Sequence, residues 1–502
     1  MTKYFLFVLN IILAFEGTSQ VKGDYVWQIG LSSNTIEDKF ASSMVIDFNA
    51  AGVDLDTFYR SMNMGYFNSS ISDDEGKLLL YSNGCRITDG SHVNIPGTLS
   101  LSPGDVDLSW CRTNPPYGYP IYESGLFLSF FKDSVILLTH QRQYYKSNPT
   151  RIITDSLFYT SVRIENGTYI LNEKTVPIVG GDLTDGNVEA VKAKNLEAWW
   201  VIQGEKNSNR YFSILLDSAS VDTVIAQAIG DTTYRGGAAG QAVFSPDGTV
   251  YARYNPKDDL SLFDFDRETG LLSNFRKMHV ADSGIIGGLA FSPNSRFLYA
   301  CGQFDMYQFD TWADDIPESK VFLGHFDNHF DPFPATFYHM QLGPDCRIYI
   351  GSPNGNKALH LIHEPDRKGL DCHFEQYAFH LPVHNSITMP NFPNYRLDIA
   401  PVCDPGIVAI KDPWNFPQLT DMAVMYPNPT NGPLTIELQD HWDTSDEVHI
   451  RVTGRTGNIY KEVIRIPVNQ TISLGLEELP AGLYFIDLRS PHYWYTGKVV
   501  KE

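Results

Sequence analysis

Apolar and polar residues alternate along most of the chain in short runs, and Gly, Pro, Asn and Asp stand between the runs. Leu260-Ser-Leu-Phe-Asp-Phe-Asp266, Met306-Tyr-Gln-Phe-Asp310 and Ala358-Leu-His-Leu-Ile-His363 are read as strands. Glu197-Ala-Trp-Trp-Val-Ile202 and Arg210-Tyr-Phe-Ser-Ile-Leu-Leu216 form a strand pair in this reading. Leu126–His140 and Ser156–Glu173 form two more, the second turning at Asn166-Gly167. No convincing long amphipathic helix pattern is present, so the chain reads as all-β.

A repeat emerges once the runs are aligned by their turns. Ala242-Val-Phe-Ser-Pro-Asp-Gly-Thr-Val-Tyr251 matches Leu289-Ala-Phe-Ser-Pro-Asn-Ser-Arg-Phe-Leu-Tyr299 and Met340-Gln-Leu-Gly-Pro-Asp-Cys-Arg-Ile-Tyr349. The turn prolines, Pro246, Pro293 and Pro344, are spaced 47 and then 51 residues apart. Proline sets the second turn position, and Gly248 accepts the positive φ that ends such a turn. Ser295 and Cys346 replace that glycine, so their turns are expected to be tighter or different. A sheet of a few strands cannot bury its own faces, but a ring of such sheets can. A period near ~47 with several strands predicts a β-propeller over residues 24–400. Its length divided by the period gives roughly eight blades, and long loops lower that to about seven. Two face-to-face sandwiches are the alternative, and they would not need the recurring Phe-Ser-Pro turn.

Pro401, Pro405, Pro413 and Pro417 then predict a stiff linker over 401–421. From 422 to 502 the strands are short: Leu434–Leu438, Val448–Val452, Gln470–Leu474, Gly482–Leu488 and Tyr495–Val500. That pattern predicts a small antiparallel, immunoglobulin-like β-sandwich. At the other end, Lys3, the apolar run Tyr4–Phe15 and the small residues Gly17 and Ser19 read as a signal peptide over 1–19, cut before Gln20. The run is too short to span a bilayer, and no later stretch has the length of a transmembrane helix.

Tyr426-Pro-Asn-Pro-Thr-Asn-Gly432 opens the tail, Leu479-Pro-Ala-Gly-Leu-Tyr-Phe485 stands late in it, and Lys498-Val-Val-Lys-Glu502 closes it. In that arrangement the tail resembles the type A sorting domain of the bacterial type IX secretion system. Tyr426, Pro427, Asn428, Pro429, Gly432, Gly482, Tyr484 and Lys498 carry the likeness. The resemblance implies handling by the type IX machinery and removal of the tail by a surface peptidase, in the linker or just before Tyr426. It often implies attachment of the cargo to surface glycolipid, so the location expected is the cell surface or the medium. In Ile71-Ser-Asp-Asp-Glu-Gly-Lys-Leu-Leu-Leu-Tyr-Ser-Asn-Gly-Cys85, in Met340-Gln-Leu-Gly-Pro-Asp345, in Leu381-Pro382 and in Met389-Pro-Asn-Phe-Pro-Asn-Tyr-Arg396 the middle resembles exported bacterial propellers that carry this sorting tail, which implies a WD40-like or YVTN-like propeller. That fold hosts binders and enzymes alike.

Charge narrows the partners. Lys+Arg 38 against Asp+Glu 59 leaves a net charge of −21, which repels phosphate backbones, so no nucleic-acid partner is expected. Six cysteines in an exported chain point to disulfides. Local pairing is expected, Cys85 with Cys111 and Cys372 with Cys403, leaving Cys301 and Cys346 either paired or as buried thiols.

No Gly-x-Ser-x-Gly, P-loop or His-Glu-x-x-His is present. His325, Asp327, His329, Asp331 and His339 cluster without the spacing of a known metal site, and Asp264-Phe-Asp266 lacks the rest of a calcium loop. Gly236–Gly240 precedes a repeat strand and suits close packing rather than phosphate. Trp110, Trp199-Trp200 and Tyr117-Gly-Tyr119 have rings that could stack a sugar or peptide, and Tyr117 and Tyr119, in a Pro-rich loop, are the better candidates. No cofactor or metal is expected. The reading is an exported, monomeric propeller that binds an extracellular protein or glycan on loops around its central channel. A secreted propeller enzyme (lactonase, lyase or glycan hydrolase) is the alternative.

Overall fold

The structure is a computed structural model. It describes residues 22–31, 42–49, 52–58, 60–113, 117–147, 150–218, 220–233, 239–330, 332–385, 387, 389–404, 407, 409–410, 423–438, 448–454, 459–489 and 494–502. The signal segment 1–19, linker residues 411–421, Asp331 and Gly236–Ala238 lie outside them. The chain divides into two compact units, Met1–Ala409 and Ile410–Glu502.

Within the first unit the described strands form seven antiparallel sheets, taken in chain order as blades 1 to 7. Their first strands are Val26–Gly30, Ser69–Ser72, Phe127–Phe130, Glu189–Lys192, Gln241–Phe244, Gly288–Phe291 and Met340–Leu342. Each blade then steps outward strand by strand. Blade 5, for example, continues through Val250–Asn255, Asp259–Asp266 and Leu271–Met278. Blade 1 is extended by the two-residue strand Ala409–Ile410, the point at which the two units divide.

Burial follows the same order. Val26–Gly30, Ser69–Ser72, Glu189–Lys192 and Gly288–Phe291 are buried throughout, whereas the outermost strand of blade 4, Val221–Ala228, alternates half-buried with exposed. An inner strand is covered on both faces by neighbouring blades, and an outer one is wet on one side. Apolar cores lie between blades: Leu260 and Leu262 of blade 5 pack with Leu289 and Leu298 of blade 6. Ala290 and Phe297 of blade 6 do the same with Met340 and Ile348 of blade 7. Trp27 of blade 1 meets Tyr349 of blade 7 edge-on at 5.2 Å and closes the ring.

The repeated turns are alike, contrary to the expectation for Ser295 and Cys346. Both residues adopt the left-handed conformation of Gly248, with φ of 63°, 66° and 72° respectively. Their N–H groups donate to Ser292 O, Gly343 O and, for Gly248, Ser245 O. The preceding side chain explains why a Cβ is tolerated. Asn294 Oδ1 accepts from Arg296 N–H at 3.0 Å, as Asp247 Oδ1 does from Thr249 N–H, so the turn is held without glycine.

The segment after blade 7 runs along the axis of the ring. Asn391 N–H donates to Asn68 O beside blade 2, and its Nδ2 to Val188 O beside blade 4. Tyr395 Oη donates to Phe127 O of blade 3, and Phe392 packs 6.2 Å from Trp27 of blade 1. Asn394 Nδ2 reaches Pro246 O in the blade 5 turn. Only a chain on the axis can touch the inner edges of so many blades. This segment narrows the central channel without filling it: a cavity of about 80 Å³ remains between Asn391–Asn394 and the first strands of blades 4 to 7, lined by Val191, Val243, Ala290 and Leu342.

Cys85 is bonded to Cys111. Cys403 is bonded to Cys346, not to Cys372 as expected, and Cys301 and Cys372 are buried free thiols. The axial segment explains the exchange. It emerges beside the blade 7 turn, where Asp404 N–H donates to Pro344 O, whereas Cys372 is enclosed in the core between blades 6 and 7. The Cys346–Cys403 bridge closes 57 residues of chain, worth ~4 kcal/mol of unfolded-state entropy. Cys403→Ser is expected to lower the stability measured by denaturant titration by about that amount. Cys372→Ser should leave the disulfide map unchanged.

The second unit is a β-sandwich. One sheet holds Ala423–Tyr426, Pro433–Leu438 and Thr471–Gly475; the other holds Ile459–Arg465, Val448–Gly454, Gly482–Arg489 and Trp494–Lys501. Leu434, Ile436, Val452, Ile472, Ile486 and Leu488 fill the space between them.

Candidate functional site

In the second unit the Pro-Asn-Pro turn and the C-terminal strand form one edge. Tyr426–Gly432 links Ala423–Tyr426 to Pro433–Leu438, with Pro427 and Pro429 both following cis peptide bonds. Asn428 Nδ2 donates to Lys498 O at 2.7 Å, and its Oδ1 accepts from Val500 N–H at 2.9 Å. Thr430 N–H donates to Val500 O, and Glu502 N–H to Thr430 O. The motif's first and last parts are thus hydrogen-bond partners.

The glycines differ in their demands. Gly432 has φ of 146°, and a Cβ there would come within 2.7 Å of Glu477 Cγ. Gly482 has only the Tyr484 ring at 3.8 Å, so space does not require it. Tyr484 Oη donates to Pro480 O at 2.7 Å, and its ring meets Tyr460 edge-on. Lys498 Nζ lies over the Phe485 ring, and Tyr426 is exposed.

In the first unit the two candidate tyrosines part company. Tyr119 is buried and donates from Oη to Ser102 O at 2.9 Å, a packing role. Tyr117 is 54% exposed and stands edge-on to Trp110, with ring centres 6.2 Å apart. From there rings continue inward. Trp110 meets Tyr66 at 5.5 Å, Tyr66 meets Tyr122 at 5.4 Å, and Tyr122 meets Tyr338 and His339 at 5.4 and 5.0 Å. Tyr66, Tyr122 and His339 all lie in segments leading into first strands, so the run sits on the rim where the innermost strands begin. Trp110 ends the short helix Asp105–Trp110 and donates from Nε1 to Tyr145 Oη at 2.8 Å. Tyr66 and Tyr122 were not singled out in the sequence, because tyrosines before strands carry no local mark. Trp199 and Trp200 are buried and donate to Ser129 O and Arg267 O.

Two buried carboxyls stand beside this rim. Glu123 Oε2 accepts from Asn187 Nδ2 at 3.2 Å and from Ala242 N–H at 3.0 Å, joining blades 3, 4 and 5. Burial raises its pKa; Glu189 is raised too, by burial first and then by the charge of Glu123. Such a carboxyl holds its proton more tightly in the folded than in the unfolded state. Its contribution to stability is fully present at acid pH and fades as pH rises above the unfolded value, about 4.3. Glu123→Gln keeps the acceptor and cannot ionise. Relative to the unsubstituted protein, it is expected to gain at least about 1.4 kcal/mol at pH 8 over its value at pH 4. Denaturant titrations at the two pH values check this; an unchanged difference would contradict it.

The histidine–carboxylate cluster is dispersed. His325 pairs with Asp305, Asp327 accepts from Tyr377 Oη, and His339 is buried against Gly240 O with its pKa pushed down to about 4 by desolvation. Among the described residues no three His, Cys, Asp or Glu side chains are placed to hold a metal ion. Asp264 pairs with Arg276, and Asp266 accepts from Thr269 Oγ1 in its own turn.

Residues 424–502 match the family described as the secretion system C-terminal sorting domain. The tail is therefore a type IX sorting domain, and the chain is exported to the cell surface or the medium. No helix among the described residues is long and apolar enough to cross a membrane. No curated protein matches the chain. Among solved structures it is similar to the Dos1 propeller, at 10% identity over 67% of this chain and 90% of that one, with a TM-score of 0.36. It is also similar to a gluconolactonase from Xanthomonas campestris, at 12% identity over 66% and 95%, with a TM-score of 0.28. Likeness of this depth says nothing about activity.

Proposed function

We propose that this type IX cargo is a monomeric ligand-binding propeller whose contacts lie on the rim carrying Tyr117, Trp110, Tyr66 and Tyr122. The observation that carries this reading is the run of rings on that rim, from the exposed Tyr117 through Trp110 and Tyr66 to Tyr122, beside a channel that Asn391–Arg396 narrows. Loops held by a rigid scaffold are the usual place for recognition. In this reading residues 24–400 are the cargo and 422–502 the address. A surface peptidase removes the address within the 401–421 linker or just before Tyr426, and the cargo stays on the surface or is released.

The test is a binding screen of the secreted protein against extracellular proteins and glycans, repeated with Tyr117→Ala and Trp312→Ala. Trp312 is 64% exposed and follows the third strand of blade 6, on the opposite rim. Loss of binding with Tyr117→Ala alone supports the rim. Loss with Trp312→Ala alone would place the site elsewhere.

A further inference from the structure

We infer that the run Tyr117–Trp110–Tyr66–Tyr122 is a binding track for a neutral polysaccharide, an inference that rests on the rim reading above. Three features point to this ligand class. The first is geometric. The rings follow one another at 6.2, 5.5 and 5.4 Å, leading inward from the exposed Tyr117 along the rim. Such steps suit a chain of ring-shaped units whose apolar C–H faces cover aromatic surface.

The second is rigidity. Trp110 stands edge-on to both neighbours, is tied by Nε1 to Tyr145, and precedes the disulfide-bonded Cys111. The helix that carries it is fastened in turn, since Asp105 Oδ2 accepts from Tyr145 N–H and Asp107 Oδ2 from Ser100 Oγ. Rings already held in place have little side-chain freedom to lose on binding.

The third is charge. Arg112 is paired with Asp107 at 3.5 Å, and the Glu123 carboxyl is turned to Asn187 and Ala242. The charge of Arg112 beside the run is thus answered by Asp107, and the net charge of −21 disfavours an acidic sugar. Tyrosine hydroxyls supply the complementary polar chemistry. Among the described residues, Tyr66 makes ring contacts and no hydroxyl hydrogen bond to protein, which leaves that group for a sugar hydroxyl.

Affinity electrophoresis of the full secreted chain through gels containing dextran, xylan or mixed-linkage β-glucan tests the inference, with polygalacturonate as the acidic control. At least one neutral polymer should retard the protein, and polygalacturonate should not. Tyr117→Ala should weaken that retardation at least about tenfold, with Trp312→Ala unchanged. Tyr66→Phe, which removes only a hydroxyl, should weaken it less. No retardation by any neutral polymer, or equal retardation of the Tyr117→Ala protein, overturns the polysaccharide assignment. A displayed peptide library separates the two readings: peptide binding lost with Tyr117→Ala keeps the rim and removes the sugar. A Tyr117→Ala protein that binds sugars and peptides like the unsubstituted one removes both.

Discussion

Deleting Ala423–Glu502 is expected to stop passage across the outer membrane almost completely while leaving the propeller folded. The truncated chain should collect in the periplasm with the Cys85–Cys111 and Cys346–Cys403 bridges formed. The reasoning is structural on both sides. Every residue of the sorting motif lies in the second unit, whose core of Leu434, Ile436, Val452 and Ile486 is its own. The first unit keeps its seven sheets, its inter-blade cores and the axial segment up to Cys403. Cell fractionation, with peptide mapping under non-reducing conditions, reads both halves of the expectation. Truncated protein in the medium at the native level would refute the sorting role. Truncated protein that is degraded and lacks its bridges would refute the independence of the propeller. A narrower change, Asn428→Ala, removes both hydrogen bonds to the last strand, at Lys498 O and Val500 N–H, and should reduce export while sparing the cargo.

What could be read from the chain alone was what local chemistry dictates. The Ser-Pro-Asp-Gly turn declares itself because few residue types suit its φ values, and the spacing of three copies already implied a ring. Asn166 and Gly167 likewise sit at positive φ, between the strands Thr150–Glu165 and Thr168–Leu183. Ser295 and Cys346 misled because side-chain hydrogen bonds, invisible in a residue count, held their turns in the glycine geometry. The axial segment could not be foreseen. Its bonds join Asn391 to Val188 and Tyr395 to Phe127, residues 203 and 268 positions away, and no periodicity encodes a partner at that range. The true partner of Cys403 was hidden for the same reason. Tyr117 and Tyr119 flank one glycine, yet one is exposed and the other buried. The edge strand Ile459–Arg465 carries little apolar alternation, since Lys461 takes an inward position, donating from Nζ to Gly475 O, where an apolar residue would have marked the strand.

Arg396→Ala is expected to destabilise the propeller by about 3–5 kcal/mol, the cost of leaving a buried charge without its partner. Arg396 and Asp24 are both 5% exposed and are joined through two guanidinium nitrogens to both carboxylate oxygens, the Nη2–Oδ2 contact being 2.7 Å. Arg396 Nε also donates to Val402 O at 2.7 Å, and the guanidinium lies 5.8 Å from the Tyr25 ring centre. The pair is 372 residues apart in the chain, so it fastens the axial segment to the beginning of blade 1. Removing the arginine strands the buried Asp24 carboxylate beside Tyr25 and Tyr395. Removing the aspartate strands a guanidinium, and Asp24→Ala should cost about as much. The pair itself need not be strongly stabilising, because desolvation offsets most of its attraction. Asp24→Leu combined with Arg396→Met should therefore recover most of what either single truncation loses. Guanidinium titrations of the four proteins decide the point. Costs that simply add in the double variant would mean the two residues act apart. A cost below about 1 kcal/mol for Arg396→Ala would mean that water reaches the pair from the cavity it borders and screens it.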